Sequence, residues 1–234
     1  MRLAGGGGAG QRPAGRTRIK VCGITTAADA EAAVAAGADA LGFIFAAQSP
    51  RRIEAEAARE IIRQLPPFIS TVGVFVDENQ RLVENLSQYC RLGLVQLHGA
   101  ESPAYCRSLS CPAIKSFRVG PALQSTALAP YAGQVIGFLL DTYQKDMAGG
   151  TGTSFDWQLV EKIKPPGPII LAGGLSPANI IAAIKQVRPY AVDVNSGVEL
   201  QPGRKDHAQL KDFVEKVRQA DTAFFTPGLG ACRT

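Results

Sequence analysis

The sequence predicts an α/β protein built as a single (β/α)8 barrel. Short apolar runs alternate eight times with longer amphipathic runs, and no second compositional block interrupts the series. Most of the short runs are continuously apolar, which is typical of parallel strands covered on both faces. Eight β–α units in succession favour a closed barrel over the main alternative, an open doubly wound sheet, because no Gly-x-Gly-x-x-Gly follows the first strand.

The ends of several elements are visible as the chain is followed in order. Gly37 ends the first predicted helix, Pro66 and Pro67 lie beyond the second, and Ser176 before Pro177 begins the seventh. The predicted strands are 18–22, 40–45, 71–75, 94–97, 113–117, 135–140, 169–172 and 191–194. The predicted helices are 27–36, 54–64, 78–90, 103–109, 121–131, 157–163, 177–187 and 207–217.

These elements place the barrel at residues 18–219. Residues 1–17 contain six glycines, three arginines and no acid, a composition with too little apolar surface to offset the entropy of ordering. We therefore expect a disordered extension before the barrel and a C-terminal tail at 220–234.

The composition excludes several classes of protein. The formal net charge is +5, but outside the extension 22 basic residues face 20 acidic ones, so the domain is not built to neutralise nucleic-acid phosphates. No run approaches the roughly 18 apolar residues of a membrane span, and the N-terminus lacks the apolar core of a secretory signal, so we expect a cytoplasmic protein. Five cysteines without a C-x-x-C pair and two isolated histidines indicate reduced thiols and no metal site.

Two groups that can transfer protons lie at predicted strand ends, where such barrels have their active sites. Cys22 ends the first strand and Asp141 follows the sixth. An acid directly after the run VIGFLL favours a functional role for Asp141 over a helix cap or a surface ion pair. For Cys22, position does not decide between a catalytic thiol and a small buried hydrophobic residue.

Three glycine-containing loops follow neighbouring strands. Gly150 lies in the loop after the sixth strand, Gly173 and Gly174 follow the seventh, and Ser196 and Gly197 follow the eighth. Glycines let backbone amides approach an anion closely, and barrels often bind phosphate after strands seven and eight. One such loop alone would indicate a tight turn, but the three together predict a phosphate site.

The polar loop after the second strand contains Arg51 and Arg52. One of them would hold a carboxylate by two parallel hydrogen bonds, unless both are solvated loop charges. His98 follows the fourth strand, and Gln96 and Asp193 are polar residues within strands. For these three, the sequence leaves open whether they line a pocket or belong to the barrel interior.

Nine segments, in the same order along the chain, carry a resemblance to one enzyme family. The sequence resembles phosphoribosylanthranilate isomerase of tryptophan biosynthesis over the whole barrel. The segments are KVCGIT (20–25), GADALGFIF (37–45), SPR (49–51), VGVFV (72–76), VQLHG (95–99), LLD (139–141), GGTGTSFDW (149–157), LAGGLSPANI (171–180) and VDVNSGVE (192–199). The combination of KVCGIT, GGTG-x-x-FDW and VDV-x-SGVE is highly specific.

The resemblance implies a compact barrel that carries out an Amadori rearrangement of a small phosphorylated sugar-anthranilate substrate, without cofactor or metal. It implies that Asp141 is the general acid that opens the ribose ring and that Cys22 is the general base at sugar carbon 2. It also implies that Arg51 binds the anthranilate carboxylate. The implied phosphate ligands are backbone amides around Gly150, Gly173, Gly174, Ser196 and Gly197.

Two departures from the family pattern fall near the predicted site. Residues 46–48 (AAQ) replace an aromatic-Pro-basic stretch, and Asn195 stands where serine is frequent. The related histidine-pathway isomerase would have an aspartate in place of Cys22, and a metal-dependent epimerase would have histidine and acidic ligands. A phosphate-binding barrel that has lost catalysis would not need both Cys22 and Asp141.

Overall fold

Eight parallel strands form the centre of the molecule. The computed structural model describes residues 15–142 and 157–225. The strands in these ranges are β1 Arg18–Val21, β2 Ala40–Ile44, β3 Ser70–Phe75, β4 Leu94–Leu97, β5 Ala113–Arg118, β6 Gly137–Asp141, β7 Ile169–Ala172 and β8 Ala191–Val194. They pair in sequence order, and β8 pairs with β1, so the sheet closes into a barrel. The predicted fold class is confirmed.

Helices connect the strands on the outside of the barrel. They are α1 Ala27–Ala36, α2 Ala55–Arg63, α3 Gln80–Cys90, α4 Pro103–Ser108, α5 Ser125–Leu128, α6 Gln158–Lys162, α7 Ile180–Val187 and α8 His207–Phe225. The side chain of Thr26 accepts a hydrogen bond from the N–H of Asp29 at the start of α1. Gly37 ends that helix with a φ of 104°, a conformation that glycine adopts without strain. In the described part of the chain, no helix has the length and apolar character needed to cross a membrane.

Two helices differ strongly from their predicted bounds, and α7 begins at Ile180 after the cap residue Asn179, not at the predicted 177 after Ser176. The predicted helix 121–131 contains only α5 and a 3-10 turn at Ala129–Tyr131, because the chain first makes a turn in which the N–H of Leu123 bonds to the carbonyl of Gly120. Helix α8 continues past its predicted end at 217 to Phe225. Its last turns are held against the start of the chain, since the buried carboxylate of Asp221 accepts hydrogen bonds from the N–H and the hydroxyl of Thr17.

The predicted domain boundaries fall within packed structure at both ends. Thr17, which the sequence assigns to the extension, is fully buried, and Arg16 pairs with Asp39. Residues 220–225, assigned to the tail, belong to α8. Residues 1–14 of the extension and 226–234 of the tail lie outside the described residues.

A small antiparallel hairpin that the sequence did not predict follows β8. It consists of β9 Glu199–Gln201 and β10 Arg204–Lys205, and a 3-10 turn at Ser196–Val198 connects it to the barrel. Such short strands carry no periodicity that distinguishes them from a loop. The hairpin matters for the site because it places Glu199 and Lys205 beside the carboxyl ends of the strands.

Apolar side chains fill two regions, the interior of the barrel and the layer between strands and helices. Leu139 packs with Ile114 and Ile170 in one buried cluster, whereas the next residue, Leu140, belongs to the larger cluster that includes Phe213 of α8. Successive residues of a strand point to opposite faces, so β6 contributes to both regions. Both faces of the strand are therefore apolar, as its sequence indicates.

Candidate active site

The carboxyl ends of the strands surround a cavity of about 460 Å³. Its wall includes seven of the eight residues that the sequence predicts for the site: Cys22, Arg51, Asp141, Gly173, Gly174, Ser196 and Gly197. The eighth, Gly150, lies outside the described residues. Cys22 follows β1 and Asp141 ends β6, and around the closed ring these two strands are separated by β7 and β8. The barrel therefore brings a thiol and a carboxyl that are far apart in sequence to the same space.

Cys22 follows directly on β1, and its N–H bonds to the carbonyl of Val194 in β8 at 2.8 Å. This bond continues the pairing of the two strands and holds the residue against the barrel wall. The side chain is buried, which raises the pKa of the Cys22 thiol, while the charge of Lys20 acts to lower it. A thiol in this position meets opposing influences, because burial favours the neutral form and the ammonium favours the thiolate.

Asp141 is the last residue of β6, and its carbonyl accepts a hydrogen bond from the N–H of Val119 at 2.8 Å. Its side chain is 20% exposed, and the Oδ2 atom lies 3.4 Å from Nε2 of His98. The other ring nitrogen of His98 lies 3.1 Å from Nε2 of Gln96, a buried residue of β4. His98 and Gln96, for which the sequence left the location open, therefore form a chain of polar contacts with Asp141. Gln96 contacts one ring nitrogen of His98, and the other ring nitrogen contacts the carboxyl group.

Arg51 extends from the loop after β2 toward the hairpin, where it meets Glu199. Its Nε atom lies 3.0 Å from both carboxylate oxygens, and a terminal nitrogen lies 2.7 Å from Oε2. Lys205 donates to the same carboxylate at 2.8 Å. Burial acts to raise the pKa of Glu199, but the hydrogen bonds from Arg51 and Lys205 outweigh it, so the pKa lies below its ordinary value.

The two neighbouring arginines have different surroundings. The N–H of Arg51 bonds to the hydroxyl of Ser49, and its side chain is 19% exposed. Arg52 is 46% exposed and pairs with Glu54, which is itself largely exposed. Of the two, only Arg51 lines the cavity.

The loops after β7 and β8 lie against each other at the edge of the cavity. Gly174 has a φ of 63°, which favours glycine. A Cβ at Gly197 would lie 1.9 Å from the carbonyl oxygen of Leu175, so only glycine allows this approach. The hydroxyl of Thr142 donates to the carbonyls of Ala172 and Gly173, which ties the end of β6 to the same loop. These contacts hold the backbone of both loops around one side of the cavity.

A buried ion pair lies at the base of the site. Asp193 of β8 accepts a hydrogen bond from Nζ of Lys20 in β1 at 2.8 Å. The sequence had left open whether Asp193 lines a pocket or belongs to the barrel interior. The sequence offered a signal for Lys20, since a lysine within a short apolar strand is unusual. Among the described residues, no three His, Cys, Asp or Glu side chains are grouped so as to hold a metal ion.

A closed parallel barrel with one cavity at the carboxyl ends of its strands, lined by a thiol, a carboxyl and an arginine, has the architecture of the (β/α)8-barrel enzymes.

Comparison with known proteins narrows this class to one family. The family model described as N-(5′-phosphoribosyl)anthranilate isomerase matches residues 19–216. The chain is 50% identical over 204 residues to the N-(5′-phosphoribosyl)anthranilate isomerase of Trichlorobacter lovleyi, covering 87% of this chain and 98% of that protein. It is 50% identical over 218 residues to the isomerase of Moorella thermoacetica, covering 93% and 96%.

Solved structures agree. Phosphoribosyl anthranilate isomerase from Thermotoga maritima has a TM-score of 0.77 at 39% identity, covering 87% of this chain and 99% of that one. A structure of the isomerase in complex with reduced 1-(o-carboxyphenylamino)-1-deoxyribulose 5-phosphate has a TM-score of 0.74 at 37% identity, with the same coverage. The chain therefore belongs to the N-(5′-phosphoribosyl)anthranilate isomerase family and is an isomerase of tryptophan biosynthesis.

Proposed function

We propose that this protein converts N-(5-phosphoribosyl)anthranilate to 1-(2-carboxyphenylamino)-1-deoxyribulose 5-phosphate, with Asp141 as general acid and Cys22 as general base. The observation that carries this proposal is that a buried thiol and a mostly buried carboxyl line one cavity from separate strands. A substrate held between them presents one side of the sugar to each group. General acid and base catalysis then needs no cofactor or metal.

In the first step, Asp141 gives a proton to the ring oxygen of the ribose. The bond between C1 and that oxygen breaks, its electron pair stays on the oxygen, and the nitrogen lone pair forms the C1=N bond of a protonated Schiff base. The position of Asp141 supports this role because the carboxyl group ends a strand at the cavity and is oriented by His98.

In the second step, the thiolate of Cys22 takes the proton from C2. The electron pair of that C–H bond forms a C1=C2 double bond, and the electrons of the C=N bond return to nitrogen. The resulting enolamine loses the proton of its C2 hydroxyl and gains one at C1, which yields the ketone. No atom is gained or lost overall, so the reaction is an isomerisation.

Arg51 would bind the carboxylate of the anthranilate ring. Glu199 occupies the side of the guanidinium that carries Nε. An arginine has five N–H donors, so the groups at the far edge of the fork can still hold a second carboxylate in a bidentate manner. Glu199 and Lys205 would then fix the direction in which Arg51 points.

The phosphate would lie on backbone amides of the loops after β7 and β8. Gly173, Gly174, Ser196 and Gly197 lie in loops that follow adjacent strands, and glycines let the backbone approach an anion. Gly150, which lies outside the described residues, is assigned the same role by the sequence pattern and by the resemblance. With both anionic groups of the substrate held, the sugar would lie between Cys22 and Asp141.

We further infer that the protein acts on a small molecule in the cytoplasm and not on nucleic acid or at a membrane. The near balance of 22 basic and 20 acidic residues outside the extension supports this inference, since proteins that bind nucleic acid carry strongly basic surfaces.

The role of Cys22 is tested by Cys22→Ser, with Cys106→Ser as the matched control at a buried cysteine outside the cavity. A hydroxyl is a far weaker base than a thiolate near neutral pH, so we expect turnover to fall by about a hundredfold or more. Affinity for a product analogue should persist. Turnover is followed by the fluorescence of the anthranilate group, and near-normal turnover in Cys22→Ser would exclude Cys22 as the base.

The reaction itself is tested in a tryptophan auxotroph that lacks the isomerase. We expect the wild-type gene to restore growth without tryptophan and the Cys106→Ser gene to do the same. Failure of the wild-type gene to restore growth, with the protein expressed, would overturn the proposed reaction.

A further inference from the structure

A charged pair lies beneath the candidate base. Lys20 and Asp193 face each other in the pairing of β1 with β8, and their side chains are 5% and 7% exposed. Replacing such a buried pair with apolar residues of similar size often leaves a protein equally or more stable. Stability therefore does not account for the presence of two charges at this point of the barrel wall.

The ammonium of Lys20 lies beside the sulfur of Cys22. The two residues are two positions apart in extended chain, so both side chains point to the same face. A Cβ at Gly42, in the adjacent strand β2, would lie 2.7 Å from the sulfur and 3.1 Å from Nζ of Lys20. The two atoms therefore border one small space, which the missing side chain of Gly42 leaves open.

Charged groups from three elements act on the sulfur. Burial raises the pKa of the Cys22 thiol, Lys20 lowers it, Asp193 raises it, and Lys205 of the hairpin lowers it. Among these charges, that of Lys20 has the largest effect. Strand β2 contributes no charge to this contact, since its residues there are glycine and isoleucine, and Arg51 after β2 is paired with Glu199.

Lys20 keeps its charge in this environment. Burial acts to lower its pKa, but the negative charges of Asp193 and the Cys22 thiolate outweigh burial, so the pKa of Lys20 lies above its ordinary value. The ammonium is therefore a permanent positive charge at neutral pH, next to a group that must become negative in order to act as a base.

We propose that Lys20 is a positioning residue for the isomerisation: its ammonium stabilises the thiolate of Cys22, and Asp193 holds the ammonium beneath the sulfur. This inference rests on the proposed function of Cys22 as the base. Because burial still holds the pKa of Cys22 above its ordinary value, the thiolate is the minor form, and Lys20 increases the fraction of molecules in which the thiol has lost its proton to solvent. Lys20 itself stays protonated throughout. When the thiolate takes the proton from C2, the neutral thiol remains beside a Lys20–Asp193 pair that is already balanced in charge.

The test measures the pH dependence of alkylation of Cys22 in the free protein. Iodoacetamide reacts with the thiolate, and peptide mass spectrometry separates Cys22 from the other four cysteines. Lys20→Met is compared with the double variant Lys20→Met/Asp193→Asn, which leaves no unpaired charge behind. Lys115→Met is the matched control, because Lys115 is also a buried strand lysine paired with an acid, Glu101, and does not line the cavity.

We expect the alkylation midpoint to rise by about one pH unit or more in both Lys20 variants, which is about a tenfold loss of alkylation rate at neutral pH. We expect Lys115→Met to leave the midpoint unchanged. An unchanged midpoint in the folded double variant would overturn the proposal, and so would an equal shift in Lys115→Met. Because the readout does not depend on turnover, it stays distinct from a failure of Cys22→Ser to reduce activity, which would overturn the proposed function instead.

Discussion

The surroundings of single side chains explain why two carboxyl groups of the site would behave differently. Asp141 contacts His98 at the mouth of the barrel, whereas Asp193 lies deeper and pairs with the ammonium of Lys20. A hydrogen bond from the lysine occupies Asp193, and burial raises its pKa more than Lys20 lowers it, whereas Asp141 ends a strand at the cavity and is 20% exposed, where the ribose ring would reach it. This difference favours Asp141 as the proton donor.

Asp141→Asn should abolish most turnover while binding of a product analogue persists. Asparagine keeps the shape of the side chain but has no transferable proton. Product formation at saturating substrate is the measurement, with Asp212→Asn, at an exposed aspartate of α8 paired with Lys216, as the control. A variant that retained a tenth of the rate, a loss of only about 1.4 kcal/mol of transition-state stabilisation, would show that another group delivers the proton.

Arg51→Ala and Arg52→Ala should differ strongly. Loss of Arg51 should raise KM and also lower stability by roughly 2 kcal/mol, because Glu199 is 3% exposed and loses its main counter-charge. The pairing with Glu199 therefore makes Arg51 matter for stability as well as for binding. Arg52→Ala should alter KM and Tm little, and equal effects of the two substitutions would refute the choice of Arg51.

The hairpin of β9 and β10 acts as a support for the loop after β2. Its two strands provide Glu199 and Lys205, and these connect Arg51 to the chain beyond β8. Lys205 also donates to the backbone and side-chain oxygens of Asn195. The hairpin is too short to predict from sequence, yet it determines which side chains lie at the edge of the cavity near Arg51.

This support should be sensitive to acid. The pKa of Glu199 is lower in the folded protein than in the unfolded chain, so its contribution to stability is complete above about pH 4.3 and is lost as the pH falls through the folded-state value. Unfolding by urea between pH 3 and 7 should show wild type more stable than Glu199→Gln near neutral pH. The gap should close on acidification, and a gap independent of pH would contradict the assignment.

The two ends of the barrel chain are joined at one point. Thr17 donates its N–H and hydroxyl to the carboxylate of Asp221 at 2.8 and 2.6 Å, and Arg218 donates to the carbonyl of Thr17 at 2.8 Å. Both Thr17 and Asp221 are buried. These bonds connect the strand that opens the barrel to the helix that completes it, so they bear on the stability of the entire domain.

Removal of residues 1–14 should leave activity and Tm unchanged, because that segment has five glycines, two arginines and no acid. Thr17→Val should lower the free energy of unfolding by about 1–3 kcal/mol, since a buried carboxylate loses a hydroxyl donor. Thermal unfolding of the two variants beside wild type separates these effects. A truncated protein with a much lower Tm would show that residues before Gly15 pack on the barrel.

The composition and periodicity of the chain were enough to predict the barrel, the strand ends at which Cys22 and Asp141 lie, and the loop that carries Arg51. Strand and helix patterns are local, and in a closed parallel barrel every strand delivers its carboxyl end to the same face. The roles of these residues stay predictions. Gly150, the remaining residue predicted for the site, lies outside the described residues.

The partners of these residues were beyond local patterns. Arg51 and Glu199 are 148 residues apart in sequence, and Lys20 and Asp193 are 173 apart. Strand order and register bring these pairs together, as they bring His98 to Asp141. Ion pairs and pKa values depend on distance and burial, and both exist only once the ring of strands has closed.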